Sequence, residues 1–149
     1  MAPTDRGAEP SAPPTGATAA GDADAADDPF DARGRFVLAD VAFASGEARL
    51  SDPAAESLSR LAAWLQADPR RRVALVGHTD DTGPADVNRR LSRARAAAVA
   101  AALSDRFGIA PDRIEVEGAG PFAPRAGNAT DAGRAANRRV EAVKLPPAP

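Results

Sequence analysis

The segment from Val73 to Val99 constrains the fold more than any other part of this sequence. Its first five residues, Val73 to Gly77, form an apolar run that predicts a buried strand. The following residues, His78 to Gly83, are rich in short polar side chains that hydrogen-bond to nearby backbone, which is typical of a turn. Pro84 suits the first position of a helix, where its missing N–H costs nothing. A helix is therefore predicted from Pro84 to about Phe107.

One charged residue interrupts the apolar face of this helix. At 100° per residue, the face that should meet the core carries Val87, Leu91, Ala98, Val99, Ala102 and Leu103. Arg95 projects from the middle of this face, and Asn88 lies two turns away towards the N-terminus. A buried guanidinium is costly unless it is paired. Asp80, in the turn ahead of the helix, is the nearest candidate partner along the chain.

Two interpretations of Arg95 are open at this point. Arg95 and Asp80 form a structural ion pair, or the Arg95 head group reaches past the edge of the apolar face. Alternatively, Arg95 binds a ligand carboxylate in a polar pocket at the helix N-terminus, and Asp80 faces a neighbouring ammonium. Such a pocket would recognise a zwitterion. Alternation in a final strand places Arg138 on the inward side with Val140 and Ala142, where a second cation would help to bind a carboxylate.

Composition divides the 149 residues into a tether, one domain and a short tail. Residues 1–33 contain no Leu, Ile or Val and are mostly Ala, Pro, Gly, Thr and Asp, so we expect a flexible tether. Residues 34–145 suit one domain with a single core, and residues 146–149 form a Pro-rich tail. The net charge of −2 and the aromatic content of 4% argue against nucleic-acid binding.

The sequence contains no cysteine, which excludes disulfides and thiolate chemistry. No apolar run approaches the roughly 20 residues that span a bilayer, and no signal peptide is recognisable. We therefore expect either a cytosolic protein or a domain excised from a longer chain. Its oligomeric state is left open.

The predicted elements follow the order β-α-β-α-β-β, an α/β (α+β) two-layer sandwich with both helices on one side of a mixed sheet. Besides the central strand and long helix, we predict one helix, a short helical turn and three strands. The strands are Arg35 to Phe43, Arg113 to Glu117 and Val140 to Leu145. The helix runs from about Pro53 to Asp68 and is capped by Ser51 or Asp52, and the helical turn covers Asp131 to Ala136. A loop is predicted over Gly118 to Ala132.

The residue patterns of catalytic and cofactor sites are incomplete in this sequence. Gly118 and Gly120 fit part of a dinucleotide fingerprint, but Pro121 and Pro124 exclude the helix that this fingerprint must open. His78, Asp80 and Asp81 suggest a hydrolase or a metal-dependent enzyme, and a triad of Ser92, His78 and Asp80 is formally available. The chain has one histidine, so it lacks the second histidine that would complete a usual zinc site. We therefore expect no catalytic residues, no metal and no cofactor, and the enzyme hypothesis stays as the alternative.

With these residues described, the sequence resembles the OmpA-like peptidoglycan-binding domain that also occurs in Pal lipoproteins and MotB-type stator proteins. The resemblance covers about Arg35 to Leu145 and is closer to the OmpA branch. It rests on four groups of residues: Gly77-His78-Thr79-Asp80-Asp81-Thr82-Gly83; Asn88, Leu91, Ser92, Arg95 and Ala96; Gly118 and Gly120; and a closing run of Pro124, Asn128, Thr130, Gly133-Arg134-Ala135, and Asn137-Arg138-Arg139-Val140-Glu141.

This resemblance implies a non-enzymatic module that binds the diaminopimelate of the peptidoglycan stem peptide and anchors a cell-envelope protein to the cell wall. It implies Asp80 and Arg95 as the main ligand residues, with Asn88, Arg138 and Thr79 completing the pocket. It also implies a periplasmic or envelope location. Phe43-Ala44-Ser45-Gly46 departs from the Asp-containing loop that is common in the family.

Overall fold

The computed structural model describes residues 28–44, 46–50, 52 and 55–149. They form three helices and a four-stranded sheet. The strands are β1 (Arg35–Val37), β2 (Arg72–His78), β3 (Ile114–Gly120) and β4 (Val140–Leu145), and the helices are α1 (Glu56–Ala67), α2 (Ala85–Phe107) and α3 (Asp131–Asn137). One turn of 3₁₀-helix, Pro111–Arg113, precedes β3. This order confirms the predicted β-α-β-α-β-β arrangement, with α3 as the predicted helical turn.

The sheet is mixed, with strand order β1-β4-β2-β3. β2 and β3 are parallel, whereas β4 runs antiparallel to both β1 and β2. α1 and α2 cover one face of the sheet, because alternate residues of β2 and β4 enter one core with both helices. That core includes Val73 and Leu75 from β2, Val140 and Ala142 from β4, Leu58, Leu61 and Leu65 from α1, and Val99 and Leu103 from α2.

The first strand is shorter than predicted, and α1 starts later. β1 ends at Val37 rather than Phe43, because the chain turns at Ala39 and Asp40. The Asp40 carboxylate accepts hydrogen bonds from the Ser57 backbone N–H, at 3.1 Å, and from the Ser57 hydroxyl. The oxygen that caps α1 therefore comes from a distant residue, and the N-cap position is Ala55 rather than Asp52. Ser51 and Pro53 lie outside the described residues.

Close packing of α2 explains why β3 continues past Glu117 to Gly120, where a loop was predicted. A Cβ on Gly77 of β2 would lie 1.8 Å from the Ser92 carbonyl oxygen, and one on Gly118 would lie 2.6 Å from the Arg89 carbonyl oxygen. Glycine at these positions lets the helix backbone rest directly on the two strands. Ser92 is fully buried there, and its hydroxyl accepts a hydrogen bond from the Gly120 N–H at 2.9 Å.

The buried face of α2 is rotated from the predicted one. Val87 was expected in the core but is 45% exposed, whereas Ser92 and Ala96 are fully buried. Because α2 lies so close to the strands near its start, small and polar side chains occupy the contact there, and Val87 is left on the open side. The helix begins at Ala85, with Pro84 at the N-cap, one residue later than predicted.

Residues ahead of the predicted domain start at residue 34 contact the domain. The Phe30 ring packs against the Trp64 ring, with centroids 4.8 Å apart, and against Phe36. Lys144 Nζ lies 2.8 Å from the Asp28 carboxylate. Residues 28–33, predicted as tether, therefore contact the domain, and the predicted tether from residue 1 to 27 lies outside the described residues. No helix in the described ranges is long and apolar enough to cross a bilayer.

Candidate functional site

The turn between β2 and α2 is held by its own polar side chains. The Thr79 hydroxyl donates to the Asp80 carbonyl at 2.8 Å, and the Thr82 N–H donates to Asp80 Oδ1 at 3.0 Å. From the first turn of α2, Asn88 Nδ2 donates to the Thr82 carbonyl at 2.8 Å. The Thr79 N–H donates to the Gly120 carbonyl at 3.0 Å, which ties the turn to β3. These bonds give the turn one conformation and place Asp80 beside α2.

Arg95 is fully buried and has no carboxylate partner within salt-bridge distance in the part of the chain that the structure describes. Its guanidinium donates to three backbone carbonyls: Nε to Glu47 at 2.8 Å, Nη2 to Ala44 at 3.1 Å and Nη1 to His78 at 3.4 Å. The Phe43 ring centroid lies 5.2 Å from its central carbon. Both structural interpretations are therefore wrong, since Arg95 neither pairs directly with Asp80 nor reaches past the edge of the helix face.

These contacts assign a role to the loop that follows β1. The carbonyl groups of Ala44 and Glu47 accept hydrogen bonds from Arg95, so this loop helps to hold the guanidinium in place. Burial and the nearby Arg138 charge, opposed by the Asp80 carboxylate, together lower the pKa of Arg95 to about 10. Arg95 remains charged at neutral pH, and its Nη1 and Nη2 each keep a second N–H for another acceptor.

The carboxylate of Asp80 pairs with Arg138 instead. Arg138 Nη1 lies 2.7 Å from Asp80 Oδ2, and the Asp80 side chain is buried while that of Arg138 is 23% exposed. Burial raises the pKa of Asp80, but the hydrogen bonds from Thr82 and Arg138 outweigh burial and hold this pKa below its ordinary value. Arg138 occupies the C-cap of α3 rather than a strand, so the helix end directs it towards Asp80.

The structure brings all five predicted ligand residues to one cleft of about 270 Å³ between the β2–α2 turn, α2 and the end of α3. They are Thr79, Asp80, Asn88, Arg95 and Arg138. The sequence prediction omitted the apolar wall of this cleft, formed by Val87 and Leu91. Their spacing of four residues indicated a shared helix face, which was assigned to the core. Gly46 of the loop after β1 also lines the cleft.

The residues of the alternative enzyme hypothesis do not form a cluster. His78 faces the side of the sheet opposite the helices and lines a different cavity, whereas Asp80 lines the cleft and Asp81 is exposed. Ser92, the third residue of the formal triad, is engaged with Arg89 and Gly120 under α2. Within the described ranges, no three His, Asp or Glu side chains lie close enough together to hold a metal ion.

Comparison with known proteins identifies a matching family and several similar proteins. A model of the OmpA family matches residues 42–138. The chain is 42% identical over 106 residues to the probable lipoprotein YiaD of Escherichia coli, which covers 71% of this chain and 48% of YiaD. It is 46% identical over 103 residues to the peptidoglycan-binding protein ArfA of Mycobacterium bovis, which covers 69% of this chain and 31% of ArfA. The chain thus spans about half the length of the first relative and about a third of the second.

A solved structure shows the same fold. The peptidoglycan-associated lipoprotein from Burkholderia pseudomallei superposes with a TM-score of 0.65 at 30% sequence identity. The match covers 70% of this chain and 88% of that chain, so nearly all of the solved domain has an equivalent here.

Proposed function

The chain belongs to the OmpA family, and from this premise we propose that it binds peptidoglycan non-covalently and anchors the polypeptide that carries it to the cell wall. Two of its relatives are named as a peptidoglycan-binding protein and a peptidoglycan-associated lipoprotein. The protein would accordingly act in the cell envelope, where peptidoglycan lies. No enzymatic step is required for this function.

The finer proposal is that the cleft holds the diaminopimelate of the stem peptide. The observation that carries it is the pairing of opposite charges in one small cleft: the carboxylate of Asp80 and the guanidinium groups of Arg95 and Arg138. The end of the diaminopimelate side chain carries an ammonium and a carboxylate on one carbon. Asp80 would accept from the ammonium, and the N–H groups of the two arginines would donate to the carboxylate.

The rest of the cleft supports a ligand with a short apolar stem. Val87 and Leu91 form one wall, and the methylene groups of diaminopimelate would pack against them. Asn88 is fixed by its hydrogen bond to Thr82 and holds the turn that presents Asp80. Thr79 lines the cleft beside Asp80. The ligand would thus meet an arrangement in which most polar groups are already oriented.

Sedimentation with purified diaminopimelate-type sacculi tests the binding proposal. The variant Asp80→Asn keeps the shape of the side chain but removes its charge. We expect most of this variant to stay in the supernatant rather than sediment with the sacculi. Asp81→Asn makes the same chemical change at the exposed neighbouring position and should bind as the unmodified protein does. Equal sedimentation of the two variants would contradict the role of Asp80, and release of soluble muropeptides would instead support the hydrolase hypothesis.

Titration with matched stem peptides tests the diaminopimelate proposal separately. A lysine stem has the ammonium but lacks the carboxylate, so two charge-assisted hydrogen bonds are lost, each contributing about 1.5–3 kcal/mol. We expect a preference for diaminopimelate of at least roughly tenfold, and weaker binding when that carboxylate is amidated. Equal affinity for both stems would contradict this pocket while leaving peptidoglycan binding itself intact.

A further inference from the structure

A second cavity lies on the side of the sheet opposite the helices, and we refer to it as the sheet-face cavity. It has a volume of about 440 Å³ and is bounded by β1, the end of β2, the start of β4 and the loop after β3. His78 lies in its wall, while the neighbouring Gly77 faces α2 on the other side of the sheet. The sheet-face cavity therefore does not belong to the peptidoglycan cleft.

The charged groups around this cavity are mostly positive. Two carboxylates face it, Asp31 from the turn before β1 and Glu141 from β4. Among the described residues, four arginines line it: Arg33 and Arg35 at the start of β1, Arg125 in the loop after β3, and Arg139 before β4. Four positive charges against two negative ones leave a surplus of two positive charges around the cavity at neutral pH.

The deepest charges in the cavity neutralise each other. Arg139 Nε lies 2.6 Å from Glu141 Oε2, both side chains are 8% exposed, and Arg139 Nη2 donates to the Ala123 carbonyl at 3.1 Å. Arg139 is therefore buried against Glu141. Arg35 approaches the same carboxylate at 3.8 Å with a half-exposed side chain. The surplus positive charge therefore comes from the more exposed Arg33, Arg35 and Arg125, which we call the rim arginines.

His78 is the polar group that these contacts leave unsatisfied. Its side chain is 6% exposed, and neither ring nitrogen has a hydrogen-bond partner in the described structure. Its Nε2 lies 4.0 Å from Glu141 Oε2, which is beyond hydrogen-bond distance. Burial, together with the nearby Arg139 charge, lowers the pKa of His78 to about 4, so the ring is neutral at pH 7. A neutral imidazole offers one donor and one acceptor to a ligand in this cavity.

We propose that the sheet-face cavity binds a phosphate-bearing ligand, with the rim arginines contacting its oxygens and the His78 imidazole hydrogen-bonding to it from below. The surplus of two positive charges matches the charge of about −1.5 to −2 on a phosphate monoester at neutral pH. One planar guanidinium group can donate two parallel hydrogen bonds to phosphate oxygens. Several such groups converge here from separate segments. The unpartnered ring nitrogens of His78 then gain a partner.

Nuclear magnetic resonance of the histidine side chain tests this site directly, because His78 is the only histidine in the chain. The protein is titrated at pH 7 and constant ionic strength with inorganic phosphate, and separately with glucose 6-phosphate and succinate. We expect the His78 ring resonances to shift saturably with both phosphates and not with succinate. Tighter binding of glucose 6-phosphate would identify an organic phosphate as the ligand, and tighter binding of inorganic phosphate would identify the free ion.

Two serine variants separate a built site from general attraction of anions. Arg125→Ser removes one rim charge whose side chain makes no hydrogen bond within the described ranges, so the fold should be retained, and we expect roughly tenfold weaker phosphate binding. Arg106→Ser removes the same charge from the exposed last turn of α2 and should leave binding unchanged. A shift that does not saturate, that is equal in both variants, or that succinate also produces would overturn the proposal.

Discussion

Arg95 shows how a single buried charge can connect stability to ligand binding. Its three hydrogen bonds go to carbonyl groups of β2 and of the loop after β1, so removing it takes a donor from the buried His78 carbonyl and frees that loop from α2. We expect Arg95→Ala to lower the free energy of unfolding by about 2–4 kcal/mol as well as to weaken sacculus binding. Arg95→Lys keeps the charge but not the planar guanidinium group. Its free energy of unfolding and its sacculus binding should lie between those of the unmodified protein and those of Arg95→Ala.

Urea unfolding and sacculus sedimentation of the same protein samples check this expectation. A variant Arg95→Ala that unfolds at the same urea concentration as the unmodified protein, yet does not sediment, would mean that Arg95 contacts only the ligand.

His78 should make stability depend on pH. Its pKa is about 4 in the folded state, because it is buried beside Arg139, against an ordinary value of 6.5. Between these values the unfolded chain binds a proton that the folded protein does not, so the full stability is present above pH 6.5 and falls as the pH drops towards 4. The expected loss is on the order of 3 kcal/mol.

Urea unfolding of the protein and of His78→Gln at pH 7.5, 6 and 5 measures this loss. Carboxylate effects are common to both proteins, so the difference in slope isolates the histidine. Identical slopes would show that His78 titrates normally.

At the scale of elements, the contact between α2 and the sheet depends on glycine. The Ser92 carbonyl lies where a Gly77 side chain would begin, and it belongs to the helix backbone, which cannot move alone. We expect Gly77→Ala to destabilise the protein by about 2–3 kcal/mol, because α2 must shift away from β2. Gly127→Ala is the matched control, since a Cβ there meets nothing within 4 Å, and it should change stability by less than about 0.5 kcal/mol.

Thermal unfolding of both alanine variants gives the comparison. The shift of α2 should also displace Asn88 and Arg95, so Gly77→Ala should weaken sacculus binding at temperatures where it remains folded. A melting temperature unchanged from that of the Gly127→Ala control would contradict the close packing.

At the scale of the whole molecule, the N-terminal boundary of the domain can be tested by truncation. Phe30 packs on Trp64, and Lys144 Nζ lies 5.2 Å from the Phe30 ring centroid and pairs with Asp28. A chain that starts at residue 28 keeps these contacts, whereas one that starts at residue 34 loses them. Because Phe30 is only half-buried, we expect the shorter chain to be less stable by about 1–2 kcal/mol.

Both truncated chains keep the complete cleft, so both should bind sacculi as the full chain does below their melting temperatures. Equal stability of the two would place the boundary at residue 34 after all, and a loss of binding on removing residues 1–27 would mean that this segment contributes to the site.

The sequence alone predicted the central strand, the long helix, the last strand and most polar residues of the cleft. Local patterns predicted β2, α2 and β4 within one or two residues, because apolar periodicity, turn residues and the Phe107-Gly108 helix end act over short distances. Arg95 was recognisable as an anomaly because it interrupts an apolar helix face. The residues with family-like spacing then identified five of the six polar residues that line the cleft, all except Thr82.

Only the tertiary structure decided how these residues are paired. The partner of Asp80 is Arg138, 58 residues away, and Arg95 binds carbonyls 48 and 51 residues earlier, in a loop whose backbone groups carry no signature in the sequence. Val87 is exposed and Asp40 caps α1 for the same reason. Which face is buried, and which oxygen meets an open helix end, depend on how closely two separate elements approach, and periodicity within one element carries no information about that distance.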